Sequence, residues 1–312
     1  MISAGTLILI VLGLCLFETV SSLDNAVINA DVLATVGASG RRWFFTWGMI
    51  FAVFVVRGAL PWVIVWIALP EAGPIGAFTA ALSRNPAIAG AVSSAAPILL
   101  MGGGMFLALL FLHWLFLEPK HFGLAGEKFF ARHGVWFYAF AAVLLAVITW
   151  FALRRSSQLA FSAIVGSTAF FITHGFRENA EDQSRRLAQP GLSDLSKILY
   201  LEIIDATFSI DGVLGAFAFT FFVPLIILGN GLGAVIVRQI TIGNIERIRK
   251  LIYLKNGAMY SIFILGAVMM SEAFGAHLPQ WVSPAGTVMI IGGSFTRSVW
   301  EVRKGSRGAG TS

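Results

Sequence analysis

Residues 18–25 read ETVSSLDN, and residues 205–212 read DATFSIDG. Laid over each other, the two stretches match acid with acid and serine with serine: Glu18 with Asp205, Ser22 with Ser209, and Asp24 with Asp211. Both stretches lie inside long apolar runs, where a carboxylate costs free energy unless it has a partner or a function. We therefore expect the rest of the chain to be organised around these acids.

The composition is that of a polytopic membrane protein. The 312 residues are 57% hydrophobic and only 12% charged, whereas a soluble domain has about 25% charged residues. The net charge of +6 comes from basic residues in short connections between apolar runs. That pattern is typical of membrane orientation and not of nucleic-acid binding. The single cysteine, Cys15, excludes an internal disulfide.

Nine apolar runs come close to the roughly 20 residues that a membrane-spanning helix needs. They lie near residues 4–30, 43–69, 96–117, 134–153, 158–175, 198–219, 221–241, 257–277 and 283–300. The two acidic stretches fall in the first and the sixth run. The sequence therefore predicts an all-α polytopic membrane protein with about nine transmembrane helices.

The basic residues indicate how these helices are oriented. Nine crossings place alternate connections on opposite sides, so that one side receives sixteen of the lysines and arginines and the other receives only Arg84, Arg154 and Arg155. Connections rich in positive charge stay in the cytoplasm. We expect the N-terminus outside, the C-terminus in the cytoplasm, and a bacterial cytoplasmic membrane as the location.

A second match accompanies the acidic one. AVFVVR ends at Arg57 and GAVIVR ends at Arg238, so each acidic helix is followed by a helix with a deep arginine. Helices 1 and 6 are five crossings apart, an odd number, so the two copies run through the membrane in opposite directions. We predict an inverted repeat of three-helix units, helices 1–3 and 6–8. Such repeats place a transporter's substrate site near the membrane midplane.

The repeat divides the chain into four parts. Residues 1–117 form the first repeat, and residues 118–197 form a connecting region with two transmembrane helices and cytoplasmic loops. Residues 198–277 form the second, inverted repeat, and residues 278–312 hold the last helix and a basic cytoplasmic tail. The glycines at 102–104 predict close helix packing.

The spacing of the acids bears on local structure. On an unbroken helix Glu18 and Asp24 point about 120° apart, because each residue turns the helix by about 100°. The dipeptides Asp-Asn at 24–25 and Asp-Gly at 211–212 favour turns. Unwound stretches there would bring the carboxylates to one cavity, which is where broken helices are tolerated at membrane depth.

Charge and ligand type favour a hard divalent cation. Five acids against two arginines give the predicted site a formal charge of −3. Coordination by oxygen alone favours Mn²⁺, Mg²⁺ or Ca²⁺ over zinc or copper. The predicted ligands are Glu18, Asp24, Asn25, Glu202, Asp205 and Asp211, supported by Ser22, Ser209, Arg57 and Arg238.

Glu202 and Asp205, at i and i+3, share a helix face. We interpret the arginines as counterions of the empty site. His113 and His174, near helix ends, are interpreted as interfacial or hydrogen-bonded residues and not as ligands.

These residues resemble the TerC family of integral membrane proteins, within the LysE-type transporter superfamily. The resemblance rests on SLDN at 22–25, on EIIDATFSIDG at 202–212 and on the arginines of VVRG and IVR. It implies a metal-ion exporter, most often discussed for manganese, in a family first named for tellurite resistance, and its acidic positions match the six ligands above. This chain departs from the family in Gly212, where many members have serine, and in long connections at 70–95 and 176–197.

The functional hypothesis is a transporter without enzymatic activity. A divalent cation enters from the cytoplasm, binds between the two acidic helices and leaves outside when one repeat rocks against the other. Protons return through the same carboxylates, since binding a cation requires them to be ionised. We expect no permanently bound cofactor, and as partners only the lipid bilayer and the cation, while protein partners are not identified. The direction of transport follows from the resemblance alone.

Other classes of protein stay open. A non-transporting membrane scaffold, or a stress-resistance protein of the tellurite type, would use the same residues as a structural ion-pair cluster. An intramembrane aspartyl protease needs two aspartates on separate helices, but its GxGD signature is missing and five acids exceed what a dyad needs. An oxyanion exporter needs a positive cavity, whereas this site is predicted to be negative.

Overall fold

The computed structural model describes residues 3–68, 70–82, 86–120, 125–187, 192–243 and 251–308, and all regular structure in these ranges is helical. The α-helices are α1 (Ala4–Ser21), α2 (Leu23–Leu33), α3 (Ala38–Trp43), α4 (Arg57–Ala68), α5 (Gly73–Leu82), α6 (Pro86–Leu117), α7 (Ala125–Arg132), α8 (Phe137–Leu153), α9 (Ser157–Leu187), α10 (Asp194–Ala216), α11 (Val223–Gly243), α12 (Leu254–Ala273) and α13 (Val282–Gly308). Two π-helical segments, Phe44–Gly48 and Phe51–Val56, lie between α3 and α4, and 3₁₀ turns occupy Pro70–Ala72 and Gly134–Trp136. Helices satisfy their own backbone hydrogen bonds, as a chain in lipid must.

Seven helices of the described ranges are long and apolar enough to cross a membrane. They are Ala4–Ser21, Ala38–Ile67, Ala95–Leu117, Gly134–Leu153, Ser157–Asn179, Val223–Thr241 and Leu254–Ala273. The other two expected crossings are helices as well, but α10 carries three acids along its apolar part and α13 is rich in glycine, serine and threonine. The chain is a polytopic helical membrane protein, and apolar character alone supports seven of its nine expected crossings.

The two long connections are partly helical. α5 fills residues 73–82 of the first, and α9 continues beyond its apolar part to Leu187 in the second. Up to Leu187 the second connection is therefore an extension of a spanning helix and not an open loop.

The first acidic run is interrupted at a single residue. Ser22 separates α1 from α2 but keeps helical hydrogen bonds: its N–H donates to the Glu18 carbonyl at 3.1 Å, and its own carbonyl accepts from the Ala26 N–H at 3.0 Å. In the second copy α10 runs unbroken through residues 211–212. The unwinding expected at the two dipeptides is wrong. Asp24 and Asn25 lie within α2, and Gly212 provides close packing against Glu18 of α1 instead of a turn.

α6 and α12 form the centre of the helix bundle. Met101, Met105 and Leu107 of α6 are fully buried and belong to one apolar core with Ile262 and Leu265 of α12. The two helices pack along much of their length, and burial of such side chains from both of them fixes the middle of the fold.

Each acidic helix packs against the arginine-bearing helix of the other half of the chain. α1 packs against α11, while α10 packs against α4 and the π-helical segment Phe51–Val56. α1 and α10 also contact each other and run antiparallel, since Phe17 lies against Gly215 and Gly13 lies against Phe219. The two acidic stretches therefore meet inside the bundle.

Glycine allows the closest helix contacts. A Cβ atom on Gly166 of α9 would overlap the backbone carbonyl of Gly102 in α6, and one on Gly104 would lie 3.0 Å from the carbonyl oxygen of Gly266 in α12. The prediction that residues 102–104 serve close packing is confirmed. Because the obstructing atoms are backbone atoms, the neighbouring helix has to move if a side chain is added.

We predict that Gly166→Ala destabilises the protein by separating α6 from α9. Overpacking of a tight contact costs about 1–3 kcal/mol, which lowers the apparent melting temperature of the purified protein in detergent. Gly175→Ala on the same helix is the matched control, because a Cβ atom there meets nothing within 4 Å. Equal melting temperatures for the two variants would show that the contact is not tight.

Candidate cation site

An arginine on the second spanning segment connects the two acidic helices. Arg57 begins α4, and its Nε and Nη2 donate to Oε1 of Glu18 at 3.1 and 2.5 Å. Its Nη1 lies 3.5 Å from Oδ2 of Asp205 on α10. The side chains of Arg57 and Glu18 are only 2% and 1% exposed, so a buried ion pair ties α1 to α10.

A second arginine approaches from α11. Nη2 of Arg238 lies 3.5 Å from Oε1 of Glu202 and 3.9 Å from Oδ2 of Asp205. Its guanidinium also lies over the ring of Phe44, 4.2 Å from the ring centre. Arg238 thus contacts both Glu202 and Asp205, as expected from their shared helix face. Glu18, Arg57, Glu202, Asp205 and Arg238 together are called the ion-pair cluster below, and their formal charge is −1.

The π-helical segments supply backbone oxygens to both arginines. Nη1 of Arg57 donates to the carbonyl of Ala52 at 3.1 Å, and Nη1 of Arg238 donates to the carbonyl of Phe44. Both carbonyls belong to π-helical residues, and such turns occur often at functional sites. These turns could not be predicted from the sequence, because apolar character does not distinguish an α-helix from a π-helix.

Two of the three neutral residues expected at the site join the cluster. Nδ2 of Asn25 donates to Oδ1 of Asp205 at 2.5 Å, and Oγ of Ser22 donates to Oε1 of Glu18 at 2.9 Å. Oγ of Ser209 instead donates to the backbone carbonyl of Asp205 at 2.6 Å. The Ser209 hydroxyl therefore bonds to its own helix and not to a cluster side chain.

The remaining predicted acids, Asp24 and Asp211, line a cavity of about 760 Å³. Oδ2 of Asp24 lies 2.9 Å from Nζ of Lys255, which also pairs with Oε2 of Glu118 at 2.6 Å. Oδ1 of Asp211 lies 3.3 Å from Nη2 of Arg177. We call this space the acidic cavity.

The acidic cavity carries net negative charge. Its lining includes five carboxylates and two cations, which give a formal charge of −3 with neutral histidines: Asp24, Asp31, Glu118, Glu178 and Asp211 against Arg177 and Lys255. Asp31 and Glu178 are exposed, so solvent reaches the cavity at the end of the bundle where the sequence places the basic connections. A negative lining raises the local concentration of cations.

The predicted ligands thus divide into two adjoining groups. Glu18, Asn25, Glu202 and Asp205 lie in or on the ion-pair cluster, whereas Asp24 and Asp211 face the cavity. Glu18 and Asp24 have different partners, Arg57 and Lys255. The structure does not bring the six residues to one coordination sphere.

The two groups are direct chain neighbours at three points. Ser21, Asp24 and Asp211 line the acidic cavity. The residues next to them, Ser22, Asn25 and Gly212, contact the buried acids Glu18 and Asp205. The chain segments that separate the acidic cavity from the ion-pair cluster therefore contact both.

Several buried oxygens at this boundary have no hydrogen-bond donor. They are Oδ1 of Asn25, Oε2 of Glu202, Oδ2 of Asp205 and Oδ1 of Asp211, although the two aspartate oxygens lie near arginine. Buried polar atoms in native proteins nearly always have partners. Unpartnered carboxylate and amide oxygens are the ligand type that hard divalent cations prefer.

Three charged residues beside these acids could not be assigned from the sequence. Glu118 follows the end of α6, Lys255 lies at the start of α12, and Arg177 lies in the second half of α9. Their charges were visible in the sequence, but only the packing of α6, α9 and α12 shows that they face Asp24 and Asp211. Nearby, Nζ of Lys120 lies 3.4 Å from the ring centre of Trp114, and burial lowers the pKa of Lys120 to about 8.

Two glycines give the buried acids their space. A Cβ atom on Gly48 would overlap Oε1 of Glu202, and one on Gly212 would lie 2.5 Å from Oε2 of Glu18. A larger residue at either position forces a buried carboxylate to move. Gly212 thus permits the close approach of Glu18.

Fold and site together define a helical membrane protein with buried charges beside an acidic cavity. A family model described as "Protein of unknown function (DUF475)" matches residues 23–305, and the chain belongs to this family. The matched range contains every predicted ligand except Glu18. No curated protein and no solved structure matches the chain.

We predict that Arg57→Met destabilises the protein strongly, by about 3–5 kcal/mol, because it leaves Glu18 buried without its cation. The double variant Glu18→Gln/Arg57→Met regains part of that loss, since the uncompensated charge is removed and the amide still accepts from Ser22. Thermal unfolding in detergent measures both effects, with Arg154→Met, at an exposed arginine, as the control. A double variant no more stable than Arg57→Met would contradict the ion pair.

Proposed function

We propose that the chain is a membrane transporter for a divalent cation, with Mn²⁺ favoured, and that the acidic cavity leads the cation to the buried acids. The observation that carries this proposal is the shared wall: Asp24 and Asp211 line the cavity, and their neighbours Asn25 and Gly212 touch the ion-pair cluster. A cation in the cavity is separated only by Asn25 and Gly212 from the buried acids Asp205 and Glu18, which belong to different halves of the chain.

The path is closed beyond the cluster. Leu14 and Phe17 precede Glu18 on α1, and both are fully buried. Phe17 lies 6.1 Å from Phe219, between ring centres, in the apolar core. Access from one end and an apolar plug at the other is what an alternating-access transporter requires in its resting state.

Helix packing supports the inverted repeat of helices 1–3 and 6–8. The contact of α1 with α11 has its counterpart in the contact of α10 with α4, and the third helices of the two units, α6 and α12, pack on each other. α1 and α10 are antiparallel, as inverted copies must be. In the same arrangement α10 and α13 complete the nine crossings, because α13 runs antiparallel beside α12, with Ser294 at Gly257 and Thr287 at Ser261.

In this mechanism the arginines neutralise the carboxylates while no cation is bound. Arg57 holds Glu18 and Asp205 together while the site is empty. A divalent cation competes for the same carboxylates, and when it binds, Arg57 is released and the contact between α1 and α10 changes. Proton return fits the same residues, because cation binding requires ionised carboxylates. Export as the direction, and manganese as the ion, rest on the resemblance to TerC proteins.

A structural ion-pair scaffold is the second candidate. Arg57 and Arg238 already leave the cluster with a formal charge of only −1, which favours a static role. The two functions differ in one measurable property, since a scaffold moves no ion across a sealed vesicle.

Cation flux into proteoliposomes tests the choice. We expect the purified protein to move Mn²⁺ along an imposed gradient, and Asp211→Asn to reduce the initial rate at least tenfold. The reduction follows because the carboxylate at the cavity–cluster boundary is lost. Asp24→Asn is expected to act in the same direction.

Glu301→Gln, in α13 away from the site, is the control for charge removal. Undiminished flux in both aspartate variants would contradict the site, and absence of flux in the unaltered protein would favour the scaffold.

Thiol labelling tests the orientation, with the N-terminus outside and the C-terminus in the cytoplasm. On a Cys15→Ser background, Ser39→Cys and Ser156→Cys each place one exposed cysteine on opposite predicted sides of the membrane. In intact cells we expect a membrane-impermeant maleimide to label the cysteine at position 156 and not the one at position 39. Labelling in the reverse pattern would show that the topology is inverted.

A further inference from the structure

The acidic cavity holds a second group of metal-ligating side chains on the wall formed by α6 and α9. His113 of α6 and His174 of α9 lie with their ring centres 3.7 Å apart. Nε2 of His174 lies 3.3 Å from Oε1 of Glu178, one helical turn further on. One ligand atom from each of these three residues lies within 4.8 Å of the other two.

These distances suit a metal ion after a small adjustment. Ligand atoms bonded to a tetrahedral metal at 2.0–2.2 Å lie about 3.4 Å from each other. The i,i+4 spacing of His174 and Glu178 puts both on one face of α9, and His113 supplies the third ligand from a neighbouring helix. Open positions of the metal would face the water of the cavity, which all three residues line.

The imidazoles are held in place by their surroundings. The ring of His174 stacks on Phe170 with ring centres 5.6 Å apart, and the ring of Phe137 meets His113 edge-on at 5.4 Å. The close contact of Gly102 with Gly166 fixes α6 against α9 further along the same pair of helices. Nε2 of His174 is buried and faces Oε1 of Glu178 at 3.3 Å without meeting hydrogen-bond geometry. An imidazole held in place with its nitrogen about one ligand–ligand distance from a carboxylate oxygen is pre-organised for a metal ion.

We propose that His113, His174 and Glu178 form a binding site for a divalent transition-metal ion on the wall of the acidic cavity. Imidazole ligands favour transition metals, whereas Mg²⁺ and Ca²⁺ prefer oxygen alone. The site therefore favours Mn²⁺, Fe²⁺, Co²⁺ or Zn²⁺, and it lies in the same cavity as the oxygen ligands Asp24 and Asp211. This selecting role rests on the proposed transport function, but metal binding itself does not.

Co²⁺ titration of the purified protein, with any affinity tag removed, tests the site. Co²⁺ bound to imidazole nitrogen in a tetrahedral site has visible absorption that hexahydrated Co²⁺ lacks. We expect one such ion per chain, competed by Zn²⁺ and not by excess Mg²⁺. His113→Gln and His174→Gln should each weaken binding at least tenfold, because removal of even an outer-shell partner costs about 10–100-fold in affinity.

The Glu178→Gln variant separates an effect on binding from an effect on folding. This side chain is 71% exposed, so its replacement leaves the core intact. It should weaken Co²⁺ binding while the melting temperature stays unchanged. His277→Gln, outside the cavity, is the control and should bind as the unaltered protein does.

Undiminished Co²⁺ binding in His113→Gln and Glu178→Gln would overturn the site, even if Mn²⁺ flux is observed. Histidine-dependent Co²⁺ binding without any flux would keep the site and overturn the transport function.

Discussion

A buried arginine between carboxylates of two helices is the constraint on which the rest of the structure depends. An unpaired charge inside a membrane protein costs several kcal/mol, so Arg57, Glu18 and Asp205 require one another. Their meeting requires α1 and α10 to cross at close range, which the glycine at 212 permits. It also requires carbonyl oxygens for the remaining guanidinium donors, which the π-helical segments supply. The π-helical departures from regular α-helix in this region thus provide hydrogen-bond acceptors for the buried arginines.

The acids, the arginines and most helices could be predicted from the sequence, because a charge in an apolar run is conspicuous and a spanning helix has a fixed length. The division of the acids between a cluster and a cavity could not. It depends on which way each side chain faces after α1 is interrupted at Ser22 and α10 continues through Asp211. The partners Lys255 and Arg177 were equally hidden, since residues on different helices become neighbours only through packing. The histidines of α6 and α9 come within 3.7 Å of each other, between ring centres, for the same reason.

This division gives the proposed transporter a sequence of environments. Solvent reaches an acidic, water-accessible cavity whose charged residues lie partly exposed. Next comes a buried layer in which acids and arginines nearly neutralise each other, and beyond it lies an apolar layer with Phe17 and Phe219. In the proposed transporter, a cation that passes from the cavity to the buried layer has to exchange water for protein oxygens at the boundary. Oδ1 of Asn25, which accepts no hydrogen bond, and Oδ2 of Asp205, which lies near Arg57 and Arg238, are oxygens available there.

Locating the ion directly is the most decisive measurement. A structure of the protein with Mn²⁺, with the metal identified by its anomalous scattering, shows which side chains bind it. We expect manganese between Asp211, Asn25 and Asp205, with the guanidinium of Arg57 displaced from at least one of its two carboxylates. Saturating Mn²⁺ with no ion at these residues, and Arg57 still bridging Glu18 and Asp205, would contradict this expectation.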